Sequence, residues 1–590
     1  MENVSRLFDL LINYKKKYQP KKDVVAGKIK GQWVYYNIDQ LIENINSLSK
    51  ALLDLGINKG DRVATVVHNS PEWNIIDFSI MQIGAIHVPI YPTSSKDDFE
   101  FILNDCKARV LFIAGNEVID RIGNLSKNIP SIQKVFSIQP DNKQDDFYQI
   151  LRNTTEETTL HKIHNLSKTI RTDDIASIIY TSGTTGNPKG VMLTHNNIVS
   201  NFKAVSYIPT FGENGKALSF LPLCHMYERM LNYLYFYLGI SIYYAENLGT
   251  ISQNIQEVKP DMMTAVPRFL EKVYEKIKHK SLDLQKFKKK IFDYSISIAE
   301  QYHPEKEKNI SLYRLKLIIS RKLVFNKWKK ALGGNFKIIV SGGAALNEEL
   351  AKIFWAAGIP IFEGYGLTET SPVIAVTDNN EKGITYGTVG PPIKGTQVKI
   401  ADDGEIICSG PNVMVGYYNN KEKTQEVIDK DGWFHTGDIG EFNSKGHLKI
   451  TGRKKEIFKT SLGKYIAPVP IENHLKTSPF IENVLVVGEN QKFASAIIVP
   501  NFQYLKEWCK RNHIPYKKSE DILINKEVRY RVRSEIDDLN QKLGKTEQIH
   551  KYRFCKDIWS VESGDLTPTL KLKRNLVLKK YYNLIQEIYN

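Results

Sequence analysis

The first part of the chain alternates between short apolar runs of strand type and apolar positions at helical spacing. Trp33–Tyr36, residues 60–67 and residues 108–114 are predicted strands. A predicted helix follows the first of them, and its apolar positions and closing glycine are Leu41, Ile45, Leu48, Leu52, Leu55 and Gly56. Because this rhythm continues to about residue 170, we expect an α/β fold with parallel-rich sheets covered by helices.

A chain of 590 residues is too long for one hydrophobic core, so we expect at least two domains. Lys454-Lys455-Glu456 marks the predicted boundary between a large N-terminal domain, residues 1–454, and a small C-terminal domain, residues 455–590. The elements predicted beyond it are a helix at 472–476, strands at 484–488 and 494–499, and a basic helical tail. This succession predicts an α+β arrangement for the small domain.

Targeting and redox features are those expected of a cytoplasmic protein. The N-terminus has no apolar core of signal-peptide length, and no run of 18 apolar residues occurs. The nearest run, residues 230–244, contains polar residues, and we interpret it as a buried helix followed by a strand. The five cysteines are scattered without metal-ligand spacing, which is typical of reduced cytosolic thiols.

The positive charge of the chain is concentrated in one segment. The net charge is +16, and residues 276–330 contain 16 Lys or Arg against 5 Asp or Glu, a net charge of +11. Aromatic and aliphatic residues are interleaved with these charges. The segment therefore fits a solvated helical hairpin, an anionic membrane surface or a nucleic-acid surface. We favour the solvated hairpin, place membrane contact second and expect no nucleic-acid partner.

The strongest chemical motif lies at residues 180–190, Tyr-Thr-Ser-Gly-Thr-Thr-Gly-Asn-Pro-Lys-Gly. A strand-type run, Ile175–Ile179, precedes it, and a helix-like segment follows after Val191–His195. Glycines let the backbone approach a bulky anion, while the hydroxyls, the backbone N–H groups and Lys189 can bind phosphate oxygens. The spacing excludes a Walker A loop, which requires Gly-Lys-Ser/Thr after four intervening residues. The motif therefore predicts a nucleotide phosphate loop of another kind.

This loop resembles that of the AMP-forming adenylating enzymes, the superfamily of acyl-CoA synthetases, luciferase and nonribosomal adenylation domains. Further motifs resemble the superfamily in the same order, at residues 341–346, 363–370, 431–438 and 451–453. The resemblance covers nearly the whole chain. It implies that ATP is bound by Thr181, Ser182, Gly183, Thr184, Thr185, Lys189, Gly343, Ala344, Gly364, Tyr365, Gly366, Thr368, Asp438, Arg453 and Lys571.

Within that set the resemblance implies individual roles. Tyr365 would stack on adenine, and Thr368 would contact the α-phosphate. Glu369 would be a Mg²⁺ ligand together with Thr184, because oxygen ligands near phosphates suit this cation. Asp438 would bind the ribose hydroxyls, assisted by Arg453. A solvent-exposed turn remains the alternative interpretation of each short motif taken alone.

Two motifs resemble the long-chain fatty acyl-CoA synthetase branch. The first is Leu221-Pro222-Leu223-Cys224-His225, followed by Glu228-Arg229, and it implies that His225 lies by the carboxylate end of the acyl site. Some members have a tryptophan gate at the position of Arg229, so that gate is not expected here. The second is Val266-Pro267-Arg268, after which this branch has a helical insertion that corresponds to residues 276–330.

The resemblance also implies a small domain that rotates about a hinge at Lys455. The loop around Gly463 and Lys464 would line the CoA tunnel, although Leu462 stands where the superfamily usually has a glycine. The C-terminal motif at residues 564–574 places the catalytic lysine at Lys571, with Lys573 as the competing assignment. Lys571, Thr368, Glu369 and His225 are thus the expected catalytic residues.

Together these features predict an AMP-forming long-chain fatty acid:CoA ligase that uses ATP, Mg²⁺ and CoA. Three alternatives remain open. One is a fatty acyl-AMP ligase that transfers the acyl group to a carrier protein, and another is an aryl or short-acid CoA ligase. The third is a non-catalytic lipid-binding scaffold, which would be expected to have lost Lys571, Glu369 or Asp438.

Overall fold

The structure is a computed structural model that describes residues 4–122, 128–139, 145–152, 156–181, 187–247, 249–308, 311–378, 383–560, 562–567 and 571–590. Its α/β architecture confirms the predicted fold class. Two large mixed sheets and three smaller sheets are built from β1 Val25–Ile29, β2 Gln32–Tyr36, β3 Arg62–Val66, β4 Ile86–Pro89, β5 Val110–Ile113, β6 Lys134–Ser137, β7 Asp145–Asp146, β8 Ile175–Thr181, β9 Lys189–Thr194, β10 Lys216–Ser219, β11 Ser241–Tyr244, β12 Met262–Ala265, β13 Ile338–Gly342, β14 Ile361–Gly366, β15 Val373–Val376, β16 Gln397–Ile400, β17 Glu405–Ser409, β18 Gly416–Tyr417, β19 Phe434–Phe442, β20 Leu448–Arg453, β21 Phe458–Lys459, β22 Tyr465–Ile466, β23 Ile481–Val487, β24 Ser495–Pro500 and β25 Lys551–Phe554.

Helices connect these strands and cover the sheets. The α-helices are Asp9–Lys17, Ile38–Asp54, Pro71–Gln82, Lys96–Cys106, Asn116–Ile122, Phe147–Leu151, Glu157–Lys168, His195–Ala204, Met226–Leu238, Ile251–Val258, Pro267–Leu282, Lys286–Glu300, Pro304–Lys308, Leu312–Ser320, Asn326–Ala331, Glu348–Ala356, Lys421–Val427, Pro468–Leu475, Phe502–Arg511, Ser519–Ile524, Lys526–Asn540, Arg574–Lys580 and Tyr582–Tyr589. Arg321–Phe325 is a π-helical turn and Thr368–Thr370 a 3₁₀ turn.

The first large sheet brings four of the predicted site segments to one edge. Its order is β15-β14-β13-β12-β10-β11-β1-β2, and the pairs from β14 through β10 are parallel. The carboxyl ends of β10, β12, β13 and β14 therefore lie side by side. They lead, respectively, into the segments of His225, Arg268, Gly343 and Thr368. In open α/β sheets this edge is the usual place for a ligand.

The second large sheet has the order β18-β9-β8-β4-β3-β5-β6-β7. Its central strands are parallel, whereas β8 and β9 are antiparallel, with Thr181 opposite Lys189. The sequence predicted a helix-like segment soon after the phosphate loop. The helix His195–Ala204 begins where that segment was expected, but the residues between it and the loop form the strand β9, which was not predicted. The two described ends of the predicted phosphate loop, Thr181 and Lys189, are therefore brought together by the antiparallel pairing of β8 and β9.

The hydrophobic clusters separate along the chain. Three hydrophobic clusters, with the side chains packed on them, contain no residue beyond Ile450. The two other clusters contain no residue before Phe458. The three-stranded sheet β23-β24-β25 lies between these last two clusters. Its elements match the expected α+β pattern, but its first helix begins at Pro468, because proline suits the first helical position.

The basic segment of the sequence is helical. The described residues between 276 and 330 lie mostly in successive helices between β12 and β13, which agrees with the predicted helical insertion. The apolar run at residues 230–244 is part of a buried helix and the buried strand β11, as expected. Among the helices that the structure describes, none combines the length and apolar character needed to cross a bilayer.

Candidate active site

The nucleotide side of the site contains a carboxylate held from two directions. Asp438 on β19 is the register partner of Arg453 at the end of β20. The Tyr365 hydroxyl donates to Asp438 Oδ2 at 2.9 Å, and Arg453 Nε lies 3.3 Å from Asp438 Oδ1. Burial raises the pKa of Asp438, whereas the Arg453 charge lowers it. The arrangement fixes a buried acceptor beside an aromatic ring.

Two glycine-containing strand ends form the surface near this ring. Gly342 of β13 and Gly364 of β14 are register partners, so neither strand adds a side chain there. Gly343 follows with φ +82°, a conformation that favours glycine, and Ala344 is exposed. A Cβ atom at Gly366 would lie 1.8 Å from the Pro372 carbonyl oxygen. Backbone at this edge can therefore lie close to a flat ligand.

The predicted metal ligand, Glu369, is oriented by Tyr417, which is not among the predicted site residues. The Tyr417 hydroxyl donates to Glu369 Oε1 at 2.9 Å, while the Met414 N–H donates to the Glu369 carbonyl oxygen at 2.8 Å. Glu369 and Thr368 belong to the 3₁₀ turn that follows β14. The sequence offered no signal for this contact beyond the position of Tyr417 in a Gly-Tyr-Tyr turn.

Several lysines converge on the phosphate-loop side. Lys189 Nζ lies 5.0 Å from the ring centroid of Tyr417. Desolvation lowers the pKa of Lys189, and the charges of Lys455 and Lys423 lower it further, while Glu369 raises it. A group of like charges that repel one another is suited to a polyanion, which would relieve the repulsion. Lys189 and Lys455 belong to sequence motifs, whereas Lys423 does not and was not predicted.

Part of the predicted phosphate loop lies outside the described residues. Thr181 and Lys189 are described as register partners on β8 and β9. Ser182, Gly183, Thr184 and Thr185 are not described, and neither is the role of Thr184 as a metal ligand. These assignments stay predictions.

Lys571 reaches the nucleotide side from the C-terminal part of the chain. Desolvation lowers the pKa of its ammonium group, Arg453 lowers it further, and Asp438, Glu456 and Glu369 raise it. The residue as a whole keeps an exposed surface, so the ammonium lies in a crowded but open cleft. The backbone N–H of Lys571 donates to Thr567 Oγ1 at 3.0 Å, and the backbone carbonyl of Lys571 accepts from the Thr567 N–H at 2.7 Å.

Lys573, the competing assignment, has a different position. Its backbone N–H donates to the Asp565 carbonyl at 2.9 Å, and it precedes the helix Arg574–Lys580 as its N-cap residue. Asp565 is fully buried and accepts from Lys580 Nζ at 2.9 Å. The structure therefore places Lys573 at the base of the loop and Lys571 among the charges of the cleft.

His225, which the resemblance places by the acyl site, is the N-cap of the helix Met226–Leu238. Its Nδ1 accepts from the Tyr227 N–H at 3.1 Å, which leaves Nε2 as the protonated nitrogen of the neutral ring. Burial lowers its pKa to about 4, and the charge of Lys571 contributes to this shift. His225 is therefore a neutral N–H donor near neutral pH.

Arg229 has a structural position. It is fully buried, and its Nη2 lies 2.5 Å from Asp77 Oδ1. Asp77 also accepts from the Tyr233 hydroxyl and contacts His87. Removing Arg229 or Asp77 would leave an uncompensated buried charge. Arg229 therefore has a structural role in the core, in agreement with the expectation that no tryptophan gate occurs at this position.

The predicted CoA loop is exposed to solvent. Residues 461–464 lie between the short strands β21 and β22, and both these residues and Tyr465 are exposed. Gly463 has φ +78°, whereas Leu462 is not among the residues with positive φ. Leu462 therefore fits its backbone without strain. Lys464 donates its N–H to Thr460 Oγ1 within the same loop at 3.2 Å.

Comparisons with known proteins find similarity along most of the chain. A family model described as AMP-binding enzyme matches residues 14–418, and one described as AMP-binding enzyme C-terminal domain matches residues 455–590. The chain is 34% identical over 569 residues to long-chain-fatty-acid–CoA ligase FadD15 of Mycobacterium bovis, covering 95% of this chain and 93% of the relative. It is 32% identical to long-chain-fatty-acid–CoA ligase 5 of Rattus norvegicus, covering 98% and 86%.

Solved structures share the fold at lower identity. The anthranilate CoA ligase AuaEII in complex with anthranoyl-AMP has a TM-score of 0.74 at 20% identity, covering 98% of each chain. The Mycobacterium tuberculosis fatty acyl CoA synthetase has a TM-score of 0.62 at 21% identity, also covering 98% of each chain.

Proposed function

The chain belongs to the AMP-binding enzyme family, and on that premise we propose that it is an AMP-forming long-chain fatty acid:CoA ligase. The observation that carries the proposal is the position of Lys571 within electrostatic reach of Arg453, Asp438 and Glu369. The names of the relatives support the choice of fatty acid and CoA as substrates. Fold alone would not support that choice, because one fold serves many functions.

In the first half-reaction a carboxylate oxygen of the fatty acid would attack the α-phosphorus of ATP. A P–O bond to the acyl group forms, the P–O bond to pyrophosphate breaks, and an acyl-adenylate results. Two anions must approach each other, so the protein has to neutralise charge and align the reactants. Lys571 would bridge carboxylate and α-phosphate, Thr368 would contact that phosphate, and Lys189 would bind the departing pyrophosphate.

Glu369 is the carboxylate that we propose for Mg²⁺, together with Thr184. In the described part of the chain, no group of three or more His, Cys, Asp or Glu could hold a metal alone. A single carboxylate suits this cation when substrate phosphates supply further oxygen ligands. Bound Mg²⁺ would neutralise phosphate charge, and Tyr417 would fix the orientation of Glu369.

On the acyl side, His225 would donate a hydrogen bond from Nε2 to the substrate carboxylate. Because its pKa is lowered to about 4, it would do so as a neutral group. A neutral donor can orient the substrate carboxylate without forming a full ion pair, which would make the carboxylate oxygen a weaker nucleophile. On the nucleotide side, Tyr365 would stack on adenine, while Asp438 and Arg453 would bind the ribose.

In the second half-reaction the small domain would rotate about Lys455 and remove Lys571 from the cleft. Gly463 and Lys464 would then line the path of CoA, whose thiolate attacks the acyl carbonyl and releases AMP. We propose residues 1–454 and 455–590 as the two units of this rotation. Their separate hydrophobic clusters support the division.

We further propose a cytoplasmic location and peripheral contact with anionic membrane through residues 276–330. Five buried free thiols suit a reducing compartment. The positive charge of the insertion suits an anionic surface, where a substrate that partitions into lipid would be concentrated.

The test is pyrophosphate release with ATP and Mg²⁺ for carboxylic acids from acetate to oleate, with and without CoA. We expect turnover that is confined to long chains and depends on CoA. A burst of pyrophosphate without CoA-dependent turnover would instead favour transfer to a carrier protein, which holo-carrier protein as acceptor would test. No release with any acid would contradict the proposal.

A further inference from the structure

A row of large aliphatic side chains lies exposed on the inserted helices. The exposed fractions are Leu312 71%, Leu315 56%, Ile318 50%, Ile319 48% and Leu323 47%. Single exposed apolar residues are ordinary, but a contiguous patch on one element marks an interaction surface. We call these five residues the aliphatic ridge.

The ridge is one face of a continuous helical stretch. Leu312, Leu315, Ile319 and Leu323 follow one another at intervals of three or four residues, so they lie on the same side. The opposite side is buried and contains Leu317, Val324 and Trp328. The Tyr313 hydroxyl donates to the Ile298 carbonyl at 3.1 Å, and Arg321 Nε donates to the Ala356 carbonyl at 2.7 Å. The ridge is thus held firmly against the body of the protein.

The charges on the helical stretch itself all have one sign, and of these Arg321 is paired with Glu307 from the preceding helix. Residues 312–330 contain seven Lys or Arg and no Asp or Glu. Arg314, Lys322 and Lys327 are exposed on the same stretch as the ridge. An amphipathic helix with aliphatic residues on one face and basic residues beside them is the pattern of a helix that lies in the interface of an anionic bilayer.

We propose that the aliphatic ridge inserts into the boundary between head groups and acyl chains of an anionic bilayer, with Arg314, Lys322 and Lys327 in contact with the head groups. The inference deepens the membrane contact proposed above and rests on it. A second copy of the chain fits less well, because a two-fold contact through the ridge would bring the same basic residues face to face.

The position of the insertion links the ridge to the acyl side of the site. The first inserted helix begins at Pro267, immediately after β12, at the sheet edge that also leads into His225. Phe269 of this helix contacts Phe220 of the His225 segment, with ring centroids 5.2 Å apart. Docking through the ridge would therefore hold the acyl side of the enzyme near its lipid-borne substrate.

The first test places an environment-sensitive fluorophore on the ridge. All five native cysteines are buried, so a Leu315→Cys variant can be labelled selectively, with Ile524→Cys as the control at another exposed site. Vesicles of phosphatidylcholine with 30% phosphatidylglycerol should shift the emission of the label at 315 to the blue. The label at 524 should not respond. A response at 524 alone, or at neither site while the protein co-sediments, would overturn the proposal.

The second test separates the ridge from its charges by vesicle co-sedimentation. Replacing Leu312, Leu315 and Ile319 by Ser should weaken binding about a hundredfold, since each removes interfacial apolar area. Replacing Arg314, Lys322 and Lys327 by Gln should also weaken binding about a hundredfold, at about fivefold per charge. The control, with Lys162, Lys445 and Lys545 replaced by Gln, should bind as the native protein does. Unchanged binding of the Ser variant, or a blue shift caused by dimerisation without vesicles, would contradict the proposal.

Ligase activity without vesicles keeps the two proposals distinguishable. The ridge variants should retain native turnover on a dispersed fatty acid, because the ridge does not contact the reacting groups. Native turnover combined with native vesicle binding would reject the ridge and leave the proposed ligase intact.

Discussion

Two loops of the C-terminal part of the chain differ sharply in their surroundings. Lys571 lies within the electrostatic reach of Asp438 and Arg453 on the four-stranded sheet β16-β17-β19-β20, and of Glu369 in the turn after β14 of the first large sheet. Residues 461–465 are exposed to solvent, and the Ser461 N–H donates to the carbonyl of Gln491, which belongs to the same C-terminal part of the chain, at 2.9 Å. A structure with one loop in the cleft and the other outside fits an enzyme that uses them in turn.

Partly exposed ion pairs join the N-terminal and C-terminal parts of the chain. Glu482 of β23 lies 2.6 Å from Arg268 Nη2 and 2.8 Å from Lys272 Nζ, and Lys542 Nζ lies 2.5 Å from Glu349 Oε1. Each of these side chains keeps some contact with solvent. Partly exposed ion pairs contribute little stability, so this interface can open at low cost.

The largest expected effect separates the two half-reactions. Lys571→Ala should slow acyl-adenylate formation by about a thousandfold, because it removes a positive charge from the transition state of phosphoryl transfer. Thioester formation from supplied acyl-adenylate should change less than about threefold. Both rates can be measured by rapid quench. Lys573→Ala is the matched control. A loss of adenylation in Lys573→Ala but not in Lys571→Ala would identify Lys573 as the catalytic lysine instead.

A smaller effect is expected at the residue that orients Glu369. Tyr417→Phe removes one hydrogen bond to a carboxylate, which should raise the Mg²⁺ concentration needed for pyrophosphate release by about tenfold. Thioester formation should be unaffected, because Tyr417 contacts Glu369, which lies near Lys571 and does not belong to the 461–465 loop. Tyr418→Phe serves as the control. An equal loss at every Mg²⁺ concentration would show that Tyr417 has only a structural role.

The solvent-exposed loop should show the opposite selectivity. Gly463→Ala forces a side chain into a conformation with φ +78°, so it should slow thioester formation by about tenfold and spare adenylation. Leu462→Gly should alter thioester formation by less than about twofold, because Leu462 does not adopt a positive φ. A loss of adenylation in either variant would remove the distinction between the loops.

The smallest effect concerns the interface. Glu482→Gln weakens the contacts with Arg268 and Lys272, so it should slow adenylation by about twofold to fivefold, the range of a surface ion pair. The effect should decrease at high salt, since screening already weakens the native pair. Glu489→Gln, at an exposed position of the same part of the chain, should have no effect. Faster adenylation in the Glu482 variant would contradict this view of the interface.

The sequence predicted most of the fold because the apolar periodicity marks elements directly. Residues 33–36, 108–114 and 230–244 illustrate this, since their patterns match the observed strands and helix. The hairpin at the phosphate loop was missed because β9 begins at Lys189, inside the motif, and its pairing with β8 is not marked by any local pattern. The helix at Pro468 was placed too late, since its first turn contains two prolines.

The candidate site could be predicted only where a motif is local. Tyr365 and Asp438 lie 73 positions apart, and their hydrogen bond follows from the meeting of two sheets. Tyr417 and Lys423 have no motif of their own. The hydrogen bond of Tyr417 to Glu369 and the charge of Lys423 near Lys189 therefore required the structure. The strain-free backbone of Leu462 likewise depends on φ, which a residue type does not determine.

The alternation of the two loops is tested most directly by the accessibility of one of them. A Leu462→Cys variant can be modified selectively, because the native cysteines are buried and Leu462 is 70% exposed. Its modification rate by a maleimide is compared without ligand and with a non-hydrolysable acyl-adenylate analogue plus CoA, with Ile524→Cys as the control. We expect fast modification without ligand and at least about tenfold slower modification when both ligands are bound. Equal rates at position 462 under both conditions would contradict the proposal that the two loops exchange places.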